Sequence, residues 1–267
     1  MISLFRKIRL KLLQQNQVTR YLLYAVGEII LVVIGILIAL QVNTWKEKRA
    51  NQIQENNFYL NLIKDLANDQ NKMDEQKAFF EHRVEVLTWL LTHTRNPSLP
   101  LKAESFGQHV EPLYYNEAAI SFDASFDAAK SSGAFNHFSN KELLKQVIQY
   151  YSEFVQIENV IASTLGIIEQ ELEPLTSSLY KNYLNEQTSD LVIAEGGNRE
   201  FYKLLGSIPD NRTIDTEGDI QKFLQKPEVE SYLVGDLGRA FHTIAKLEAR
   251  SRKIDSLKTA INYFLHD

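Results

Sequence analysis

The sequence predicts an all-α fold: a single N-terminal transmembrane helix that continues into the long first helix of an exported antiparallel helical bundle. Three observations carry this expectation. Residues Tyr21 to Val42, "YLLYAVGEIILVVIGILIALQV", form an almost unbroken apolar run. From Asn43 to about Thr94 there is no glycine or proline, and apolar residues recur at helical spacing. No strong period-two segment appears anywhere in the 267 residues. The chain then divides into a basic cytoplasmic segment (residues 1–20), a transmembrane signal anchor (21–42) and an exported, periplasmic α-helical domain (43–267).

The span is long enough for its task. Residues 21–42 at ~1.5 Å rise give ~33 Å of helix, against a hydrocarbon core of ~30 Å. Ile29 to Leu40 alone is too short, so the span recruits Leu22 to Val26 and carries Glu28 into the leaflet. Trp45 marks one interface, with Lys46, Lys48 and Arg49 beyond it, and Tyr21 and Tyr24 mark the other. No small-x-small cleavage pattern follows Ala39, which favours an uncleaved anchor. Arg6, Lys7, Arg9, Lys11 and Arg20 precede the span with no acid among them, so the positive-inside bias places the N-terminus in the cytoplasm. Leu4, Phe5, Ile8, Leu12 and Leu13 alternate with these cations. That pattern suits a helix lying on an anionic membrane face, and it equally suits a plain positive tag.

Glu28 raises its own question, because a carboxylate near the bilayer centre costs roughly 2.5–3.5 kcal/mol. Ala25, Glu28, Val32, Gly35 and Ala39 fall at steps of three and four and share one helix face. Gly35 and Ala39 form a small-xxx-small pair that admits another helix. One reading seats Glu28 in a helix–helix contact, in a homo-oligomer or against another envelope protein. The other lets it reach water or a headgroup from high in the leaflet.

Beyond the membrane, Ile53, Leu60, Ile63, Leu66, Met73, Phe80, Val84, Leu87 and Leu91 predict one apolar stripe on a rod ended by "RNPSLP". Phe122, Phe126 and Ala129 predict a short helix closed by Ser131-Ser132-Gly133. Ser139 and Glu142 read as a capping box opening a helix that runs to Pro174, with Val147, Tyr151, Phe154, Ile161, Leu165, Ile168 and Leu172 on one face. "NEQTSDLVIAEGGN" and "SIPDNRTIDTEGD" read as loops. From Pro227 the pattern is helical to the end, with Leu233, Leu237, Ala240, Ile244, Leu247, Ile254, Leu257, Ile261 and Leu265 along one stripe.

Composition narrows the function classes. Hydrophobic residues make 44% and charged residues 24%, which excludes wholesale disorder. There is no cysteine, hence no thiolate metal site and no thiol nucleophile. After residue 20, 24 basic residues face all 34 acidic ones, so the acidic body repels nucleic acid. GxSxG, Walker, GxGxxG and HExxH patterns are absent, and none of the six histidines has a Glu three residues before it. His82 and Glu85 share a helix face, which reads as charged surface rather than as a metal pair. Tyr114-Tyr115 and Tyr150-Tyr151 could line a ligand pocket, although aromatics at helical spacing more often pack in a core. Asn211-Arg212-Thr213 matches a glycosylation acceptor only at the level of chance. The expectation is a non-enzymatic protein with no cofactor and no metal.

Two stretches, "RYLLYAVGEIILVVIGILIALQVNTWKEKR" and "SFDAAKSSGAFNHFSNKELLKQVIQYY", resemble an uncharacterised Bacteroidota family, the domain of unknown function numbered 6090. The first carries the Gly27-Glu28 pair and Gln41; the second is a helix, a Ser-Ser-Gly turn and a second helix. The resemblance implies a single-pass envelope protein of a Gram-negative bacterium, and it transfers no activity and no catalytic residue. The leading expectation is an inner-membrane scaffold or interaction module. Its partners would be the lipid bilayer and a homo-oligomer or another envelope protein, with no nucleic acid. The alternative is a periplasmic sensor or ligand-binding bundle that signals through a membrane partner.

Overall fold

A computed structural model describes residues 18–184 and 196–266, and among them the structure is helical with no strand. Most of the basic segment expected at residues 1–20 and most of the loop expected at 185–198 lie outside the described residues. Helix α1 spans Val18–Arg95 without interruption, as the absence of helix breakers in that stretch predicts. It is followed by α2 (Ala103–Val110), α3 (Ala124–Ser131), α4 (Lys141–Ser152), α5 (Phe154–Ile167), α6 (Glu173–Thr176), α7 (Gly196–Ser207), α8 (Thr216–Leu224) and α9 (Pro227–His266).

The chain divides into two compact units. One holds the residues up to Asn57 together with Gly133–Ser139; the other holds Phe58–Ser132 and Asn140–Asp267. In the first unit, every large apolar side chain described between Leu22 and Val42 is exposed, from 42% at Tyr24 to 74% at Leu31. In the second, α1 and α9 lie antiparallel, as the pairs Arg95–Glu230, Arg83–Asp236, Lys77–Glu248 and Gln70–Ser251 require. Tyr59 meets the Phe264 ring edge-on further along the same pair.

The buried seam of α1 has a seven-residue repeat that differs from the expected stripe. One column is Tyr59, Leu66, Met73, Phe80 and Leu87; the other is Glu55, Leu62, Asp69, Gln76, Arg83 and Leu90, and all are almost fully buried. Alternating steps of three and four average 3.5 residues, close enough to the helical 3.6 to hold one face inward over several turns. Ile53 and Leu60, expected inside, are 54% and 50% exposed. Glu55 and Tyr59 take their place, and a purely apolar periodicity steps over the polar member. Each apolar side chain buried along the other column contributes roughly 1.5–3 kcal/mol.

Three expectations are corrected. The capping box is displaced by one residue: Asn140 accepts from the Leu143 N–H at 3.0 Å and caps α4. Ser139 instead donates both its N–H (2.8 Å) and its hydroxyl (2.7 Å) to Glu55, a buried carboxylate that a local motif cannot reveal. The single helix expected from 140 to 172 is broken at Glu153 (φ −81°, ψ −7°) and widens into a π-turn at Ile168–Leu172. Pro174 supplies the reason for the second feature. Its ring leaves no N–H to bond one turn back and crowds that carbonyl, so the helix widens before it and continues as α6. The break shifts the face, and Tyr150 and Thr164 are buried where Tyr151 and Leu165 were expected. Finally, the loop readings are too long. Gly196-Gly197 open α7, and Asp215 accepts from the Gly218 N–H to cap α8 inside "DTEGD".

On α9 the expected stripe holds at Leu233, Ala240, Leu247, Ile254, Leu257 and Ile261, and the polar residues Asp236, Thr243 and Arg250 are buried beside it. The Ser-Ser-Gly turn also holds. Ser132 donates its N–H to the Ala128 carbonyl at 3.1 Å, and Gly133 adopts the left-handed conformation at φ 73°. A Cβ there would meet only Asn136 Nδ2, at 3.7 Å, so the penalty for a side chain is conformational rather than steric. Gly133→Val is therefore expected to destabilise the fold by about 1–2 kcal/mol in a urea melt. An unchanged midpoint would contradict this account of the turn.

Candidate functional site

The polar column of α1 organises the irregular chain between α2 and α4. Arg83, 1% exposed, forms an ion pair with Asp236 at 2.8 Å and donates to the carbonyls of Leu113 (3.3 Å) and Tyr115 (3.2 Å). Tyr232 adds a hydroxyl bond to Asp236 at 3.0 Å. Descending α1, Gln76 donates to the Ala118 carbonyl, Lys72 pairs with Glu117, Asp69 accepts from the Phe122 N–H and Asp65 from the Ser125 N–H. Residues 115–123 thus run antiparallel along the helix without forming regular structure, and α3 begins after them. Their backbone groups find partners on α1 side chains instead.

Asp69 is fully buried within this arrangement. Its carboxylate takes the Tyr150 hydroxyl at 2.5 Å and the Phe122 N–H at 2.7 Å, with Arg250 at 3.5 Å. The Arg250 guanidinium lies 3.8 Å above the Tyr150 ring and 4.8 Å from that of Phe154. Burial raises the Asp69 carboxyl above its ordinary range, outweighing the hydrogen bonds and the arginine that pull the other way.

Held in place by Arg83, Glu111–Tyr115 forms one wall of a cavity of about 370 Å³. The opposite walls come from the α6 end (Thr176, Ser177), from Lys181 and Leu184, and from Phe201 and Tyr202 of α7. Lys181 Nζ donates to the Tyr114 hydroxyl oxygen at 2.8 Å and to that of Tyr183 at 3.2 Å. The Tyr114 hydroxyl donates to Thr176 Oγ1 at 2.7 Å, and Thr176 donates to the Leu172 carbonyl. Burial pushes the Tyr183 phenol up, aided by the neighbouring Tyr114. Gly107 sets the Tyr183 backbone: a Cβ there would collide with the Tyr183 carbonyl, so α2 approaches closely only because residue 107 has no side chain.

The residues singled out from sequence fall in different places. Ala25, Glu28, Val32, Gly35 and Ala39 all lie on α1. Val32 is 56% exposed, and a Cβ at Gly35 would have no atom within 4 Å, so among the described residues no neighbour covers that face around Val32 and Gly35. Tyr114 and Tyr115 line the cavity, whereas Tyr150 bonds Asp69 and Tyr151 stacks on Phe126 at 4.5 Å. His82 lies 3.3 Å from Glu85, itself 77% exposed. No group of three potential metal ligands occurs among the described residues. Trp89 is stacked between His93 (3.8 Å) and His109 (3.9 Å), and burial lowers the His109 imidazole below its ordinary value. Lys181, Tyr183, Phe201 and Tyr202 had no signal in the sequence beyond a lysine flanked by tyrosines in "YKNY".

Residues 28–90, roughly a quarter of the chain, are similar to a family of unknown function, DUF6090, whose model they match. The match spans the apolar stretch from Glu28 onward and the polar column from Glu55 to Arg83. The second resembling stretch, beginning at Ser125, lies outside it. No curated protein and no solved structure matches the chain.

Asp236→Ala strands the Arg83 guanidinium in the interior and is expected to cost about 3–5 kcal/mol. Arg95→Ala, which breaks the exposed pair with Glu230, is expected to cost no more than about 1 kcal/mol. Equal melting shifts for the two would contradict a pinning role for Arg83. The raised Asp69 carboxyl gives a signed pH effect. A folded-state value above the unfolded one favours folding at acid pH, and that advantage is lost as pH rises through the folded value. Relative to Asp69→Asn, the wild-type chain should therefore lose ground in urea midpoints as pH rises from the ordinary carboxyl value of about 3.9 toward neutrality. A constant difference across that range would contradict the burial of an ionised Asp69.

Proposed function

We propose that the protein is a single-pass inner-membrane protein of the cell envelope, non-enzymatic, whose periplasmic helical body serves as a scaffold or interaction module. One observation carries the reading. From Leu22 to Val42 α1 is apolar on every face apart from Glu28 and Gln41, and each large apolar side chain described there is exposed, whereas beyond Asn43 the same helix buries one seam and turns charge outward. A helix apolar all round needs an apolar surrounding. In water, each of those side chains would forgo roughly 1.5–3 kcal/mol of burial, and a continuous run of them is compatible with lipid. The five cations before the span support a cytoplasmic N-terminus. The sequence holds none of the common catalytic motifs, which favours binding over chemistry.

The open face of Ala25, Glu28, Val32, Gly35 and Ala39 favours a partner within the membrane, a second copy or another envelope protein, reached through Gly35 and bonded at Glu28. A second reading, a sensor or ligand-binding body, is favoured by the cavity at Lys181.

Topology is tested by reporters fused after Asp267. One that works only outside the cytoplasm should be active there, and activity of a cytoplasmic reporter at the same site instead would overturn the orientation. The membrane face is tested by crosslinking with single cysteines, which the cysteine-free chain makes direct. Gly35→Leu and Glu28→Leu should both weaken the same crosslinked species, Glu28→Leu by a link worth ~0.6–2 kcal/mol. Leu31→Ala, off that face, should leave it intact. Unaltered crosslinks in both variants would make Glu28 a tolerated interfacial acid.

A further inference from the structure

We propose that the cavity bounded by Tyr114, Tyr115, Lys181, Phe201 and Tyr202 binds a small organic anion with an aromatic body, its carboxylate seated on the Lys181 ammonium. The inference goes beyond the scaffold reading and does not depend on the membrane orientation. It starts from the hydrogen bonds of Lys181. An ammonium has three N–H donors. Two are used, on the phenol oxygens of Tyr114 and Tyr183, and the ammonium also lies 5.1 Å and 5.7 Å from those two ring centroids. Lys181 forms no ion pair with an acidic side chain among the described residues, so the charge is oriented by neutral oxygens and ring faces and one donor remains.

Three neighbouring hydroxyls are already committed. The Thr176 hydroxyl donates to the Leu172 carbonyl and the Ser177 hydroxyl to the Pro174 carbonyl. The Tyr114 proton goes to Thr176. Glu111 is buried and engaged within the protein, and Glu173 is exposed at the rim. Among these groups the cationic donor still open is the third N–H of Lys181, and a carboxylate meets it with a charge-assisted bond. The walls decide the rest of the ligand. Tyr115, Phe201, Tyr202 and Leu184 present ring and aliphatic surface, against which a flat ring packs edge-on or offset. The volume of about 370 Å³ lies within the range of small-molecule sites.

The geometry also explains why Lys181 is held rather than left to sweep through solvent. Tyr183 is fixed through its backbone at Gly107, and Tyr114 through the neighbouring Leu113 and Tyr115 carbonyls on Arg83. Both phenols that orient the ammonium are therefore anchored from outside the cavity. Binding energy is then not spent on ordering the lysine stem.

The test uses the full chain in lipid nanodiscs, with empty nanodiscs as the blank, titrated calorimetrically with phenylacetate and with its neutral isostere phenylacetamide. The acid should saturate the protein and bind about tenfold or more tighter than the amide, the ratio expected for one charge-assisted hydrogen bond. Lys181→Met should abolish the preference, and Lys181→Arg should retain it. Equal affinity of acid and amide for the wild-type chain overturns the proposal, as does a preserved preference in Lys181→Met. Absence of saturation by phenylacetate below about 10 mM, a free energy too small for a built site, overturns it as well. The acid–amide comparison is made on the unaltered chain, so it decides the matter even if Lys181→Met fails to fold.

Discussion

A single column of polar side chains on α1 holds the second unit together. Asp69, Gln76 and Arg83 occupy positions that the repeat reserves for hydrocarbon, each is almost fully buried, and each bonds chain outside its own helix. A buried polar group left without a partner costs about 1–3 kcal/mol, and more when charged. These three therefore fix where the chain from Leu113 to Ser125 must run. Shifting that stretch by one residue would strand several groups at once. Arg83 has the largest consequence because it joins three elements, with Asp236 of α9 on one side and two carbonyls of the 111–115 turn on the other.

The cavity inherits its shape from that constraint. The Leu113 and Tyr115 carbonyls held by Arg83 flank Tyr114, which receives Lys181. The close approach of α2 at Gly107 sets the other phenol. Rigidity at the ammonium thus comes from buried bonds and packing around the cavity. The large apolar cluster of Leu87, Leu90, Phe106, Val110, Phe223 and Leu233 surrounds these elements and contributes the bulk of the burial. That cluster supplies stability, and the polar column supplies the register.

One helix meets two different surroundings. Up to Val42 its apolar side chains point in every direction; from Glu55 onward a 3.5-residue seam is buried and the remaining faces carry charge. The backbone is the same throughout, so side-chain pattern alone assigns each part to its medium. Within the first unit, Glu55 takes both donors of Ser139, the same device that Asp65 and Asp69 apply to Ser125 and Phe122 in the second. Acids at the buried edge of α1 repeatedly terminate segments that have no regular partner.

Legible from the residues alone were the helical class, the unbroken first helix, its end at "RNPSLP", the turn at Gly133, the last helix from Pro227 and the all-round apolar stretch. Each of these rests on local physics: missing breakers, a proline without an N–H, a glycine free to be left-handed, a period that reads as one face or as none. Only the tertiary structure decided that Asn140 rather than Ser139 caps α4, that Tyr150 and Thr164 are buried where Tyr151 and Leu165 were expected, and that Lys181 sits between two phenols. For Ser139, Tyr150 and Lys181 the deciding partner lies far away in the chain, at Glu55, Asp69 and Tyr114. A hydrophobic period counts apolar residues and is blind to a buried acid or arginine, because such a group is tolerated inside only when a distant segment arrives to satisfy it.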